Sequence, residues 1–260
     1  MADDVDALLA EQVDYYQARA GEYDEAYAGA DSPLQHLDSV LALLPMGGRV
    51  LEIACGTGQW TQHLAGRFAD ITALDTSADA LAIAKQRVPA GVRWVQEDVF
   101  RFRSEAPFDL VFAGFWLSHV PWSEWPRFWS RLAALLAPGG VVVCVDETAD
   151  GLAGKEAWSA EVEDVVTRSV ADGRTFQVAK LRLDPVAVTA RLGELGWAVE
   201  AVTLSADLFA LRAQSENCSC CQRPLASTTD VSTCRSGIDQ YVRSRRSLSS
   251  SATTAKPFRR

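Results

Sequence analysis

Two glycines, Gly56 and Gly58, follow a short apolar run in the stretch Leu51-Glu52-Ile53-Ala54-Cys55-Gly56-Thr57-Gly58. Glycine at a strand exit lets the backbone turn sharply and approach a ligand closely. The helix start beyond it offers free N–H groups. A dinucleotide loop would want a third glycine, but the sixth position counted from Gly56 is Thr61, and no Gly-Lys-Ser/Thr follows as in a nucleotide-phosphate loop. The turn therefore suits close approach without strong phosphate demand; a plain tight turn is the other reading.

Asp75 ends the next strand-like run, Asp70-Ile71-Thr72-Ala73-Leu74-Asp75. An acid at that edge of an open α/β sheet can accept hydrogen bonds from both ribose hydroxyls. It can equally be a helix N-cap, since Asp75-Thr76-Ser77 precedes a helix. Glu97-Asp98-Val99-Phe100 follows the third run: Asp98 can accept from an exocyclic amine, and Val99 and Phe100 offer apolar walls to a ring, unless the stretch is an ordinary polar loop. Phe115, Trp116, Trp122, Trp125, Phe128 and Trp129 form an aromatic cluster, whose ring faces favour a cation. Trp125, Phe128 and Trp129, however, have the i, i+3, i+4 spacing of a packed helix face. His119 stands in a loop beside this cluster, where it is a candidate general base, a cofactor contact or a loop-ordering residue. His36 and His63 fall on helices and read as structural.

Alternating elements must position these residues. Val5, Leu8, Leu9, Gln12, Val13 and Tyr16 give residues 3–19 a helical period, and Pro33 to Leu44 reads as a second helix capped by Ser32. Strands are expected at 49–54, 70–75, 92–96, 108–114 and 141–145. Helices are expected at 59–68, from Ser77 to Pro89, and from Pro126 to Leu136. Further on, the spacing predicts a helix at 156–171, a strand at 175–183, a helix at 185–195 and a closing strand pair at 197–204 and 207–212. Short apolar runs alternating with helices indicate a Rossmann-like, doubly wound α/β sheet, mostly parallel and covered by helices on both faces.

Composition bounds the rest. Of 260 residues 48% are hydrophobic, and 25 basic against 34 acidic residues give a net charge of −9. Residues 214–260 hold eight basic and three acidic residues, which leaves 17 basic and 31 acidic for residues 1–213. That acidic body disfavours nucleic acid as a partner. No apolar run reaches the length of a membrane span, and the acidic start lacks the order of a secretion signal, so a cytoplasmic protein is expected. The Ser/Thr-rich segment 214–260 reads as a disordered tail. Its Cys218, Cys220, Cys221 and Cys234 lack the paired spacing of a zinc site, so no metal is expected.

The order of features carries more than any one of them: a glycine turn after strand one, an acid after strand two, Asp-hydrophobic after strand three. With VLEIACGTGQW (50–60), ITALDTS (71–77), VQEDVF (95–100), FDLVFAGFWLSHVP (108–121) and LAALLAPGGVVVCVDE (132–147), the chain resembles the class I S-adenosylmethionine-dependent methyltransferases over about residues 10–212. The resemblance implies a seven-stranded sheet with a reversed last strand, S-adenosyl-L-methionine as cofactor, and methyl transfer to a small-molecule acceptor. It places Glu52, Ala54, Gly56 and Gly58 along the methionine side, Asp75 and Thr76 at the ribose, Asp98 and Val99 at the adenine, and Phe115 near the sulfonium. Tyr15 to Asp24 resembles the lid of small-molecule members, with Tyr16, Arg19 and Tyr23 closing over the cofactor. The expected organisation is then lid helices over 1–46, a catalytic domain over 47–213 with a cover insertion around 150–183, and the tail. An NAD(P)-dependent oxidoreductase, disfavoured by the missing third glycine, and a non-catalytic cofactor-binding relative are the alternatives.

Overall fold

The seven main strands run in the order β3-β2-β1-β4-β5-β9-β8, from Val92–Gln96 (β3) through Asp70–Asp75 (β2), Arg49–Ile53 (β1), Phe108–Gly114 (β4), Leu136–Glu147 (β5) and Leu208–Ser215 (β9) to Trp197–Thr203 (β8). The structure, a computed structural model, describes residues 2–27, 33–88 and 90–216. Expectations about Ser32 and about the tail beyond Glu216 lie outside the described residues. Strands β1 to β5 pair in parallel, and β9 runs antiparallel between β5 and β8. The doubly wound sheet with its reversed last strand is therefore present. Parallel pairing also brings the carboxyl ends of β1 to β4 to one edge, where ligands bind in such sheets.

Alternation along each strand feeds two cores. Leu51, Ile53, Val111, Ala113, Val142 and Cys144 face α5 (Trp125–Leu135) and α6 (Pro185–Glu194). Val50, Ile71, Leu110, Phe112, Val141 and Val143 face α2 (Leu37–Leu41) and α3 (Thr61–Ala65). Trp125, Phe128 and Trp129 are fully buried in the first core, as their helical spacing requires. Each such side chain contributes about 1.5–3 kcal/mol by leaving water. Among the described residues, no helix is long and apolar enough to cross a membrane.

Several expected elements are corrected. The helix over 59–68 contracts to Thr61–Ala65, and the helix from Pro33 begins as a 3-10 turn, Pro33–His36. The helix expected over 156–171 is absent. That segment instead forms a two-stranded antiparallel hairpin, β6 (Val165–Ser169) and β7 (Thr175–Ala179). Val165, Val166 and Thr167 favour the extended backbone. Asp172-Gly173 turns the chain back, with Gly173 at φ +88°. The hairpin packs its Val166, Val170, Val178 and Phe176 against Tyr15 of α1 (Ala2–Arg19). Glu11 accepts from the Gln177 N–H at 2.6 Å, joining the first helix to the hairpin.

Candidate functional site

A cavity of about 630 Å³ opens at the carboxyl edge of β1 to β4, beneath α1. Its walls are arranged by the strand exits. Ala54 and Gly56 follow β1, Asp75 and Thr76 close β2, Asp98 to Phe100 follow β3, and Phe115 and Trp116 follow β4. The backbone turns under strain at two of these exits: Ala54 has φ +50° and Phe115 φ +57°, both in the left-handed region that side chains avoid. β1 and β4 are neighbours, so the two strained turns stand side by side.

Asp75 is knitted into this edge. Its Oδ2 accepts the Gly56 N–H at 2.8 Å and its Oδ1 accepts the Ser77 N–H at 2.8 Å. Burial raises its pKa, and those N–H donors oppose the rise. The carboxylate thus fixes the glycine turn to the end of β2, and Asp75 also lines the cavity. Ser77 caps α4 (Ala78–Arg87) with its own hydroxyl, so the capping role and the acid role fall on separate residues. Asp98 accepts the Phe100 N–H at 2.8 Å, and the Arg127 guanidinium lies 4.2 Å from the Phe100 ring centroid.

The N-terminal residues roof the cavity. Gln12, Tyr16, Ala20 and Tyr23 line it from above. Thr57 donates to Asp24 at 2.5 Å, and Arg87 bonds both Asp24 and the Thr57 carbonyl, which pins the turn after α1 onto the glycine loop.

Gly58, Arg19, Glu52 and His119 do not line the cavity, nor do Trp122, Trp125, Phe128 and Trp129 of the aromatic cluster. Gly58 turns with φ +81° and a Cβ there would meet Ala84 at 3.1 Å, so it serves helix packing. Arg19 bonds the Tyr15 hydroxyl and stacks on its ring. Glu52 is only 2% exposed, with Oε2 unpartnered, and burial pushes its pKa up to about 8, the nearby Asp75 charge adding to the rise. His119 sits behind Tyr16.

The environment of His119 settles its protonation. Nδ1 lies 2.7 Å from the Ala179 carbonyl oxygen, so Nδ1 carries the hydrogen and donates it. Nε2 then accepts from the Tyr16 hydroxyl at 2.8 Å. Arg168 donates to the same hydroxyl at 3.3 Å and is itself ion-paired with Glu156. Burial, then the Lys180 and Arg168 charges, hold the imidazole well below its ordinary pKa. Both ring nitrogens are occupied and the ring is neutral, so it offers the cavity no free lone pair. Its visible work is to tie the loop after β4 to α1 and to β7. Lys180, 2% exposed, reinforces that tie by donating to Ser118 at 3.0 Å and Glu147 at 2.9 Å, while Ser118 bonds Asp146.

Sequence reasoning counted Gln12 in the helical period of α1 and gave it no part in the site, yet its Nε2 donates to the His119 carbonyl at 3.2 Å. The signal was a glutamine standing in the apolar stripe of α1. Of the cysteines in the described residues, Cys55 and Cys144 are free and buried. Among the described residues, no group of His, Cys, Asp and Glu could hold a metal ion.

The chain is similar to known proteins in sequence and fold. A family model described as a methyltransferase domain matches residues 50–140. The structure of a DhpI–SAM–HEP complex superposes with a TM-score of 0.68 at 34% identity, covering 80% of this chain and 97% of that one. The chain belongs to the class I S-adenosylmethionine-dependent methyltransferases. Among curated members of this class, trans-aconitate 2-methyltransferase of Methylobacterium nodulans is 39% identical over 115 residues, 43% of each chain. Demethylmenaquinone methyltransferase of Bacillus licheniformis is 34% identical over 112 residues, 40% of this chain and 46% of that protein. The matches thus span less than half the length of these curated relatives. The cofactor of the class is S-adenosylmethionine, and the site suits it: an apolar hollow with one carboxylate fixed at its edge, a glycine turn, and aromatic faces at the β4 exit.

Proposed function

We propose that this methyltransferase moves the methyl group of S-adenosylmethionine to a small-molecule acceptor by in-line displacement. The observation that carries the acceptor class is the roof. Helix α1 lines the cavity above the strand exits, and the β6–β7 hairpin packs against its Tyr15 and holds it there. A polymer would need an open track, and a polyanion would meet the acidic body.

Each wall has a part in this reading. Asp75 takes the ribose hydroxyls, with Thr76 beside it, and Asp98 and Val99 meet the adenine. Ala54 and Gly56 run along the methionine part. Phe115 sits next to the reacting centre, and Tyr16 and Tyr23 shut out water. The bound cofactor supplies an electrophilic methyl carbon on a cationic sulfur. The protein's contribution is to hold the acceptor close and in line, which supplies much of the barrier reduction. His119, with both ring nitrogens engaged, is not assigned the part of base. The acidic body and the small acceptor fit a cytoplasmic enzyme.

Calorimetry with S-adenosylmethionine and S-adenosylhomocysteine, followed by radiolabelled methyl transfer to panels of acids, amines, phenols and RNA, tests the proposal. Transfer to a small molecule is the expected result. Failure to bind either nucleoside, or transfer to RNA alone, would overturn it.

A further inference from the structure

Arg87, the last residue of α4, joins two segments that meet at the glycine turn. Its Nη2 ion-pairs with Asp24, and its Nη1 donates to the Thr57 carbonyl. Thr57, 1% exposed, also donates its hydroxyl to Asp24 at 2.5 Å. Asp24 belongs to the 3-10 turn Tyr23–Tyr27 that follows α1, and Thr57 to the turn that follows β1. Each member of this trio is therefore bonded to the other two. Burial pushes the Asp24 pKa up, yet hydrogen bonds from Thr57 and Gln59 and the Arg87 guanidinium hold its carboxyl below the ordinary value. Arginine suits the corner, because its flat fork donates to two partners at once, where a lysine ammonium acts as a point charge.

None of the three lines the cavity, but Tyr23 and Gly56, the residues just before Asp24 and Thr57, both do. A Cβ on Gly56, which has φ +53°, would stand 3.6 Å from Tyr23 Cε1, so the ring lies directly on the bare glycine turn. Asp75 holds the same turn from the side of β2 by accepting the Gly56 N–H. Two neighbouring pairs, Tyr23 on Gly56 and Asp24 on Thr57, thus join the segments, and Arg87 fastens the second pair.

Resting on the methyltransferase reading, we infer that Arg87 is a positioning residue for the cofactor site: through Asp24 and Thr57 it holds the Tyr23 ring against the Gly56 turn, where that ring forms a wall of the methionine end. Arg87 stands behind the wall, so its effect on binding passes through Tyr23. Residues that act through one another give non-additive losses, and residues that act separately give additive ones.

A double-mutant cycle on the full-length protein, read as S-adenosylhomocysteine affinity by calorimetry, tests this. Wild-type binding is measured first; its absence would strike the methyltransferase reading, and its presence isolates the clamp. Tyr23→Ala and Arg87→Met should each weaken binding about tenfold, and Arg87→Met should change it by less than about twofold once Tyr23→Ala is present. Arg87→Lys keeps the charge but not the fork, and should weaken binding by about threefold only while the ring is there. It carries the cycle if Arg87→Met does not melt cooperatively. An arginine that serves the fold alone would lower the melting temperature without moving affinity, or would weaken binding by the same factor with and without the ring. Either result, or full affinity in Tyr23→Ala, would overturn the inference.

Discussion

Replacing Glu52 by Gln removes an ionisable group from the middle of β1 without changing its shape. The carboxyl is 2% exposed with one oxygen unpartnered, and burial lifts its pKa from 4.5 to about 8. A carboxyl whose pKa is raised on folding stabilises nothing as pH climbs. The unfolded chain releases its proton near 4.5, while the folded chain holds it to about 8. Stability is therefore greatest below the lower value, falls through that window, and levels off above it. At pH 7 the loss is about 1.4 kcal/mol for each pH unit above 4.5, which comes to about 3 kcal/mol. Gln escapes that loss but buries amide hydrogens of its own, at a cost of about 1 kcal/mol. The expected gain at pH 7 is thus about 2 kcal/mol, shrinking to nothing or less at pH 4.5. Urea unfolding of both proteins across pH 4.5 to 8.5 measures it. Parallel stability profiles would refute the argument, because the carboxyl would then be solvated or paired. The same samples test the cofactor assignment: if Glu52 reaches the methionine end, S-adenosylmethionine affinity falls about tenfold even as stability rises, and unchanged affinity leaves Glu52 a role in the fold alone.

Asp75→Ala should weaken S-adenosylhomocysteine binding by about 1–3 kcal/mol, read by calorimetry, by deleting a half-buried acceptor and loosening the glycine turn. Unchanged affinity would remove Asp75 from the ribose site. Lys180→Met removes the ammonium 3.9 Å from Asp146, which is 0% exposed, and should cost about 3–5 kcal/mol in urea unfolding; the double change to Lys180→Met and Asp146→Leu should recover much of it. Tyr16→Phe frees His119 Nε2, so the imidazole should show altered carbon and nitrogen shifts by NMR while Nδ1 keeps its hydrogen. An unaltered spectrum would mean that Tyr16 and His119 do not meet in solution.

The sheet was readable because its strands are short β-branched runs whose exits carry distinctive residues. Val141 to Val145, broken only by Cys144, could hardly be anything but a buried strand. Beyond residue 150 the reading failed for a local reason. Val162, Val165 and Val166 mimic helical spacing, and the Asp172-Gly173 turn that reverses the chain was overlooked. Site residues contributed by strand exits were legible because a parallel sheet aligns those exits. Contacts made by the roof were not. Tyr16 and His119 lie 103 residues apart, and nothing in either neighbourhood announces the other. The likeness to a family put Arg19 and Gly58 at the cofactor, yet one leans on Tyr15 and the other is pressed against Ala84.

The roof also has a consequence for biosynthesis. Glu11 and Gln177 are separated by 166 residues, and Tyr16 and Arg168 by 152. The first helix leaves the ribosome long before its partners exist, so an apolar face waits uncovered while most of the polypeptide is made. Closing such distant pairs is slow and exposes nascent chains to aggregation. Catalytic competence should therefore arrive late and abruptly, when the hairpin emerges and the earliest residues finally find their place.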